Sequence, residues 1–196
     1  MRLIALSAAL LMPLALNPAE AVGGKAIGVS GAPVRMEVFS DFQCPACKTL
    51  YEQTLRPLAE DYARPGKVYL IHRDFPLAGH AYSRRAAYLA CAAARIGKYE
   101  QVARALFAKQ GDWSVSGRVE EAALGVLTAA DAAKVRALAK DPSIAAEVEN
   151  DMALGQGHNL KQTPTIIITH RLKQYPLTSS ISYSLLRRFL DELLLK

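Results

Sequence analysis

Two cysteines, in the stretch Cys44-Pro45-Ala46-Cys47, have the spacing in this chain that is best suited to chemistry. Thiols separated by two residues can form one disulfide and be reduced again, which is the use this spacing has near the start of a helix. The loop that they close is too short to stabilise a fold by restricting the unfolded chain. The pair therefore indicates thiol–disulfide exchange rather than a structural cross-link.

The segments on either side of the pair predict a strand and then a helix. Residues 34–40 alternate between apolar and polar, and apolar residues recur with helical spacing over 45–63, where Pro57 is expected to kink the helix. A thiol in the first turn of a helix faces unpaired N–H groups and the positive end of the dipole, which stabilise a thiolate. Cys44 is therefore predicted to be the exposed nucleophile, and Cys47 the shielded resolving thiol.

The size of a possible pKa shift indicates which contacts the site needs. Lowering a thiol pKa by about five units requires roughly 7 kcal/mol, whereas a helix dipole supplies about 2 kcal/mol at most. Direct hydrogen bonds from the N–H groups of Ala46 and Cys47 to the sulfur are therefore expected to contribute much of any large shift.

The remaining pattern predicts an α/β fold with a helical insertion. A β-rich run over 68–72 is followed by an Ala-rich helical block over 78–157, in which Thr128 and Asp141 are predicted helix N-caps. Strand character returns over 165–169 and 172–177, and a final helix follows a serine cap near Ser182. We therefore assign 34–77 and 158–196 to the α/β domain and 78–157 to the insertion.

The N-terminus has the pattern of a secretory signal peptide. Arg2 precedes an apolar run over 3–16, and Ala19-Glu20-Ala21 offers a cleavage site, so that residues 1–21 are predicted to be removed near Ala21. A membrane-spanning helix needs about 20 apolar residues, although an uncleaved anchor is the alternative. The glycine-rich residues 22–33 are predicted to be a flexible lead. The mature protein is expected to be periplasmic or secreted, where disulfides persist.

Charge and ligand counts argue against other classes of function. The net charge of +6 comes from scattered basic residues without interleaved aromatics, so no nucleic-acid partner is expected. A closed zinc site needs four ligands, and the chain has no second Cys-x-x-Cys, so neither a metal nor another cofactor is expected. Cys91 is interpreted as a buried small residue, with a third redox thiol or an intermolecular link as the alternatives.

A second motif lies far along the chain, at Gln162-Thr163-Pro164-Thr165. A cis proline just before a strand of this layout would bring the preceding backbone next to the disulfide, where it could pair with an incoming chain. The Thr163 hydroxyl either tunes the disulfide or reflects only the preference of threonine for strands.

These motifs together resemble the DsbA-like family of thiol–disulfide oxidoreductases. The matching stretches are 37–47, 73–77, 91–99 and 162–165. The resemblance implies a thioredoxin-like fold with an inserted α-helical domain and thiol–disulfide exchange on exported proteins. It implies that Cys44 and Cys47 react, and that Pro45, Ala46, Thr163 and Pro164 bind substrate or tune the redox couple.

Two positions depart from the best-studied members of that family. Ala46 stands where those members have a histidine that helps to hold the thiolate, and Val38 stands where they often have a strand glutamate. Glu37 is one residue away and therefore on the opposite strand face, and Asp41 is the nearest carboxylate along the chain. Asp41 or Glu37 is a candidate for proton transfer to Cys47.

The predicted function is oxidation of unfolded or thiol-bearing exported proteins by a monomer. The resemblance implies reoxidation by a membrane quinone-linked partner that is DsbB-like or VKOR-like. A reductase or isomerase, for which a dimer is usual, and a non-catalytic chaperone or peptide-binding module remain the alternatives.

Overall fold

Five strands form one sheet in the computed structural model, which describes residues 24–195. The strands are β1 (Ala26–Ile27), β2 (Val34–Ser40), β3 (Val68–Asp74), β4 (Thr165–His170) and β5 (Lys173–Thr178), in the order β1-β3-β2-β4-β5. β2 and β3 are parallel, and the other neighbours are antiparallel. The signal peptide predicted over residues 1–21 lies outside the described residues.

Helices connect and cover this sheet. They are α1 (Pro45–Leu50), α2 (Arg56–Leu58), α3 (Ser83–Ala94), α4 (Tyr99–Ala108), α5 (Gln110–Ser116), α6 (Val119–Leu124), α7 (Ala129–Leu138), α8 (Pro142–Gly157) and α9 (Tyr183–Leu194). Helices α3 to α8 lie between β3 and β4 in the chain, so the predicted α/β fold with a helical insertion is confirmed. The predicted caps are confirmed at Thr128, Asp141 and Ser182, whose side chains each accept a backbone N–H of the following turn. Within residues 24–195, no helix is both long enough and apolar enough to cross a membrane.

The helix after the cysteine pair continues through the predicted span, although its hydrogen-bond pattern changes. π-helical turns over Tyr51–Leu55 and Ala59–Ala63 flank the short helix α2, which contains Pro57. Proline lacks the N–H that an α-helical bond requires, and its ring crowds the preceding turn. The wider turns on both sides let the chain stay helical around this residue.

One helix of the insertion, α5, contains a glycine near its start, a residue that more often marks a helix end. The sequence predicts that Gly111 ends the preceding helix, but α4 ends at Ala108 and α5 begins at Gln110. Trp113 anchors this second helix, since its buried indole Nε1 donates a hydrogen bond of 2.7 Å to the Leu106 carbonyl. Burial of a large aromatic side chain outweighs the small helical cost of glycine.

Part of the predicted flexible lead over 22–33 is bound to the sheet and to buried carboxylates. β1 pairs with β3, with Ala26 opposite Ile71, and the Lys25 side chain is only 1% exposed. The reason is long-range: the carboxylates that bind Lys25 belong to residues much further along the chain. Glycine content by itself therefore gave a misleading indication of flexibility here.

Lys25, Glu37, Arg73, Asp74 and Asp151 form a buried ionic cluster. Lys25 Nζ lies 2.8 Å from Asp74 Oδ2 and 2.6 Å from Asp151 Oδ2. Arg73 donates to Glu37 Oε1 at 2.7 Å and to Asp151 Oδ1 at 2.9 Å. The cluster therefore ties the N-terminal segment, β2 and β3 to α8 of the insertion.

Cys91 belongs to the edge of this cluster. Its thiol donates to Asp74 Oδ2 at 3.1 Å, and it is fully buried. Burial raises the pKa of the Cys91 thiol well above its ordinary value, so the group is a neutral hydrogen-bond donor here. This position favours the interpretation of Cys91 as a packing residue and adds a polar contact to it.

We expect Lys25→Met to destabilise the protein strongly. Burial by itself would lower the pKa of Lys25, but Asp74, Cys91 and Asp151 outweigh that effect and raise it well above its ordinary value. Removing one partner of a buried ion pair costs about 3–5 kcal/mol, because the other partner stays buried without compensation. The free energy of unfolding in urea measures this loss. Lys134→Met, at an exposed position, is the control, and equal small losses in both variants would contradict the assignment.

Candidate active site

Cys44 is the N-cap residue of α1. Its backbone is extended, with φ −78° and ψ 121°, and Pro45 follows as the first residue of the helix. The Cys44 carbonyl accepts the N–H groups of Cys47 at 3.1 Å and Lys48 at 3.2 Å, which begins the helical ladder. Proline fits the first helical position because its missing N–H would be unpaired there. The local sequence thus sets Cys44 at the open end of a helix.

The Cys44 sulfur lies in an environment that favours the thiolate. The pKa of Cys44 is lowered to about 5, and the largest cause is a hydrogen bond from the Cys47 thiol. The Thr163 side chain and the backbone N–H groups of Cys47 and Ala46 lower it further. Together these contacts outweigh burial, which by itself would raise the pKa. The contribution that the sequence predicts from Ala46 and Cys47 is therefore present, but the Cys47 thiol contributes more. Cys44 is 7% exposed, which is less than predicted, although it is more accessible than Cys47 at 1%.

Cys47 is shifted in the opposite direction. Burial raises the pKa of Cys47 far above its ordinary value, and the hydrogen bond with Cys44 adds to this effect. The backbone N–H of Asp41, at 3.4 Å from Cys47 Sγ, and the Ser40 side chain offset it only in part. Both cysteines are reduced in the structure, and their opposite pKa shifts favour a thiolate at Cys44 while Cys47 stays protonated.

Thr163 and Pro164 lie next to this pair although they are more than a hundred residues away in the chain. The peptide bond between them is cis, and Thr163 O is 3.5 Å from Cys44 Sγ. The Thr163 hydroxyl is buried and forms no hydrogen bond with an oxygen or nitrogen atom among residues 24–195, so it is available to the Cys44 sulfur. Pro45 and Ala46 are exposed on the helix side of the sulfur. The sulfur is therefore bordered by the Thr163 backbone on one side and by an accessible helix start on the other.

The two carboxylates predicted as proton-transfer candidates have different positions. Glu37 is bound to Arg73 in the buried ionic cluster, on the other strand face, which corrects the expectation that it serves Cys47. The Asp41 carboxylate is close to the pair along the chain, but it accepts hydrogen bonds from Gln43 N, Leu77 N and His80 Nδ1 at 2.7–2.8 Å. Asp41 contacts Cys47 Sγ through its backbone N–H rather than through its carboxylate.

Several contacts at the site come from residues that the sequence did not indicate. The Gln43 side chain accepts the N–H of Tyr82 at 2.9 Å and donates to Ser114 O at 3.3 Å, so it joins the cysteine turn to the insertion. Gln110, in the unpredicted helix α5, also binds this turn. No local sequence pattern marks these residues, because each partner is at least 39 positions away. Within residues 24–195, no group of three or more His, Cys, Asp or Glu side chains is arranged to hold a metal ion.

Comparison with known proteins places the chain in a family. A family model described as thioredoxin matches residues 20–192. Since this match covers most of the chain, the protein belongs to the thioredoxin family that the model describes.

Solved structures of DsbA-like proteins share the fold. BdbD from Bacillus subtilis superposes with a TM-score of 0.73 at 23% identity, covering 89% of this chain and 94% of that one. Wolbachia pipientis alpha-DsbA1 gives 0.71 at 20% identity, with 87% and 90% covered. A thioredoxin-like oxidoreductase from Silicibacter pomeroyi gives 0.71 at 25% identity, with 87% and 91% covered. The predicted DsbA-like resemblance and thioredoxin-like fold class are thereby confirmed.

Similarity to curated proteins is confined to a short stretch. Probable disulfide bond formation protein D of Bacillus cereus and that of Bacillus anthracis are each 42% identical over 55 residues. The matched stretch covers 28% of this chain and 26% of the Bacillus cereus protein.

Thr163→Val should raise the pKa of Cys44. The buried hydroxyl is available to donate to the thiolate, and hydrogen bonds to charged groups contribute about 1.5–3 kcal/mol, or roughly 1–2 pKa units. Thiolate absorbance of the reduced protein against pH measures the midpoint. Thr49→Val, at an exposed position of α1, is the matched control. An unchanged midpoint in Thr163→Val would show that the hydroxyl does not act on the sulfur.

The reduced protein should lose stability as the pH falls from about 8.5 toward 5. The pKa of Cys44 in the folded protein, about 5, lies below the value of about 8.5 for an unperturbed thiol. A lowered pKa contributes stability that is present above the unfolded value and is lost as the pH falls through the folded one. Calorimetric melting should therefore show a steeper decline for the reduced wild type than for Cys44→Ala. Parallel declines would contradict the lowered pKa.

Proposed function

We propose that the protein is an exported thiol–disulfide oxidoreductase that introduces disulfides into other proteins. The observation that carries this proposal is the placement of the two thiols: Cys44 lies at the open start of α1 beside Thr163 O, and Cys47 is buried one turn later. This placement favours a thiolate at Cys44 and a protonated Cys47. A pair of this kind can accept two electrons from a substrate dithiol, because one of its sulfurs is a good leaving group. The name of the Bacillus relatives, probable disulfide bond formation protein D, supports the same activity.

The reaction begins with the Cys44–Cys47 disulfide. A substrate thiolate attacks Cys44 Sγ, a mixed disulfide forms, and the bond to Cys47 breaks. Cys47 leaves with the electron pair and takes up a proton, which its raised pKa favours. A second substrate thiolate then attacks the substrate sulfur of the mixed disulfide and releases Cys44 as a stabilised thiolate. The substrate dithiol is oxidised to a disulfide, and the cysteine pair is reduced by two electrons.

Access to the site fits an extended polypeptide substrate. Attack on Cys44 requires an approach from the open side of α1, where Pro45 and Ala46 are exposed. A substrate strand that passes there would run beside the backbone at Thr163 and Pro164 and could form main-chain hydrogen bonds with it. We therefore propose thiol-bearing exported proteins, unfolded around their cysteines, as the substrates.

Repeated turnover requires a partner that removes the electrons. We propose a membrane quinone-linked protein, DsbB-like or VKOR-like, acting on the reduced pair outside the cytoplasm. The predicted signal peptide over residues 1–21 supports export to the periplasm or beyond, with cleavage near Ala21. We propose a monomer, since each cysteine pair completes the exchange described above.

A reductase or isomerase is the second candidate. Ala46 supports it, because this residue offers no side-chain donor to the Cys44 thiolate where a histidine would. An isomerase of this kind would usually be a dimer with two sites, so the mass in solution separates it from the proposed monomer.

The redox equilibrium with glutathione distinguishes an oxidant from a reductase. If the thiolate at Cys44 stabilises the reduced form, the reduction potential should lie well above that of thioredoxin, at about −270 mV. The ratio of reduced to oxidised protein in glutathione buffers measures it. A potential near the thioredoxin value would overturn the oxidant assignment.

Trapping of mixed disulfides tests the substrate class. Cys47→Ala removes the resolving thiol, so exported proteins should remain attached to Cys44 in the cell that makes them. The double variant Cys44→Ala, Cys47→Ala keeps Cys91 and is the matched control. If both variants captured the same proteins, Cys44 would not be the attacking residue.

A further inference from the structure

A buried glutamine of the helical insertion binds the turn that carries Cys44. Gln110 is the first residue of α5 and is only 5% exposed. Its Nε2 group donates to Phe42 O at 2.7 Å and to Cys44 O at 3.0 Å. One side-chain amide therefore spans the two carbonyls on either side of Gln43.

The second of these carbonyls determines how α1 begins. Cys44 O also accepts the N–H groups of Cys47 and Lys48, so Gln110 adds a third hydrogen bond to the same oxygen. The orientation of the Cys44 peptide group sets the direction of its side chain relative to the N–H groups of Ala46 and Cys47. Those N–H groups stabilise the sulfur only in a narrow range of distance and angle.

Helix α5, which carries Gln110, is anchored by hydrogen bonds of its own. The Trp113 indole fixes α5 to Leu106 O, and Gln43 adds a hydrogen bond to Ser114 O on the same helix. α5 therefore has an anchor within the insertion, at Leu106, besides its contacts with the cysteine turn. The position of the cysteine turn therefore depends on where the insertion holds α5.

We propose that Gln110 is a positioning residue, which holds the Cys44 turn so that the reactive sulfur faces the N–H groups at the start of α1. The inference rests on the proposed redox function of the cysteine pair. The helical insertion thereby helps to set the reactivity of the cysteine pair, through the hydrogen bonds from the Gln110 amide to two backbone carbonyls. Gln110 does not contact the sulfur in this account and acts only through the backbone of Phe42 and Cys44.

Gln110→Met tests the proposal, because methionine keeps the length of the side chain but cannot donate. The thiolate midpoint of Cys44, from absorbance against pH, should rise by about one unit, and the glutathione equilibrium constant should change up to about tenfold toward a weaker oxidant. Gln101→Met is the matched control, since Gln101 is an exposed glutamine of the same insertion that donates to Val126 O. It should leave both values unchanged.

The outcomes separate a positioning role from a structural one. If Gln110→Met lowered the melting temperature but left the thiolate midpoint and the equilibrium constant unchanged, the proposal would be overturned. The same holds if Gln101→Met moved them equally. The direction of exchange is a separate result: a wild-type potential near that of thioredoxin would contradict the oxidant assignment, while a shift in midpoint caused by Gln110→Met would still support the positioning role.

A measurement on the unaltered chain covers the case in which Gln110→Met does not fold. The side-chain amide protons of Gln110, followed by NMR in the reduced protein, should exchange slowly with solvent and should shift with the same midpoint as the Cys44 thiolate. Rapid exchange, or signals that do not respond to Cys44 ionisation, would overturn the proposal.

Discussion

Two cations, Lys25 and Arg73, are buried with three carboxylates at the point where the N-terminal segment, the sheet and the insertion meet. Charges removed from water are tolerated only when their partners are close and well oriented, so the cluster allows little freedom in how these segments pack. The insertion must therefore dock on β3 in one arrangement. That arrangement in turn carries α5 to the cysteine turn, which follows the C-terminal end of β2.

The site depends on an asymmetry between two neighbouring thiols. Cys44 at the open end of α1 is surrounded by donors, whereas Cys47 one turn later is buried among apolar side chains. The same short motif thus supplies Cys44 as a leaving group and Cys47 as a thiol that stays protonated. Thr163 completes the surroundings of the sulfur from a distant part of the chain, and Gln110 fixes the turn from the insertion. Reactivity is therefore a property of three segments that meet, rather than of the motif by itself.

Local patterns accounted for most of the elements, and the errors have common physical causes. The strand before Cys44, the helix after it and the caps at Thr128 and Asp141 follow from periodicity and from side chains that bond to their own helix. The segment at Lys25 and helix α5 were misjudged because glycine suggested flexibility or a break. In both cases a buried contact with a distant partner outweighed a small local preference. The π-helical turns around Pro57 instead reflect how the helix adapts to a residue that has no backbone N–H.

The sequence by itself determined the chemical type of the site and its place in the chain. Cys-x-x-Cys between a strand and a helix and a downstream Thr163-Pro164 are local features that suffice to indicate thiol–disulfide chemistry, and the predicted signal peptide adds the expectation of export. Only the tertiary structure decided that the Thr163 side chain lies beside the Cys44 sulfur, that the Gln110 amide binds the cysteine turn, and that Glu37 lies with Arg73 rather than with Cys47. The reason is that a thiol's pKa depends on donors and charges within a few ångströms, and these come from residues whose proximity is set by packing.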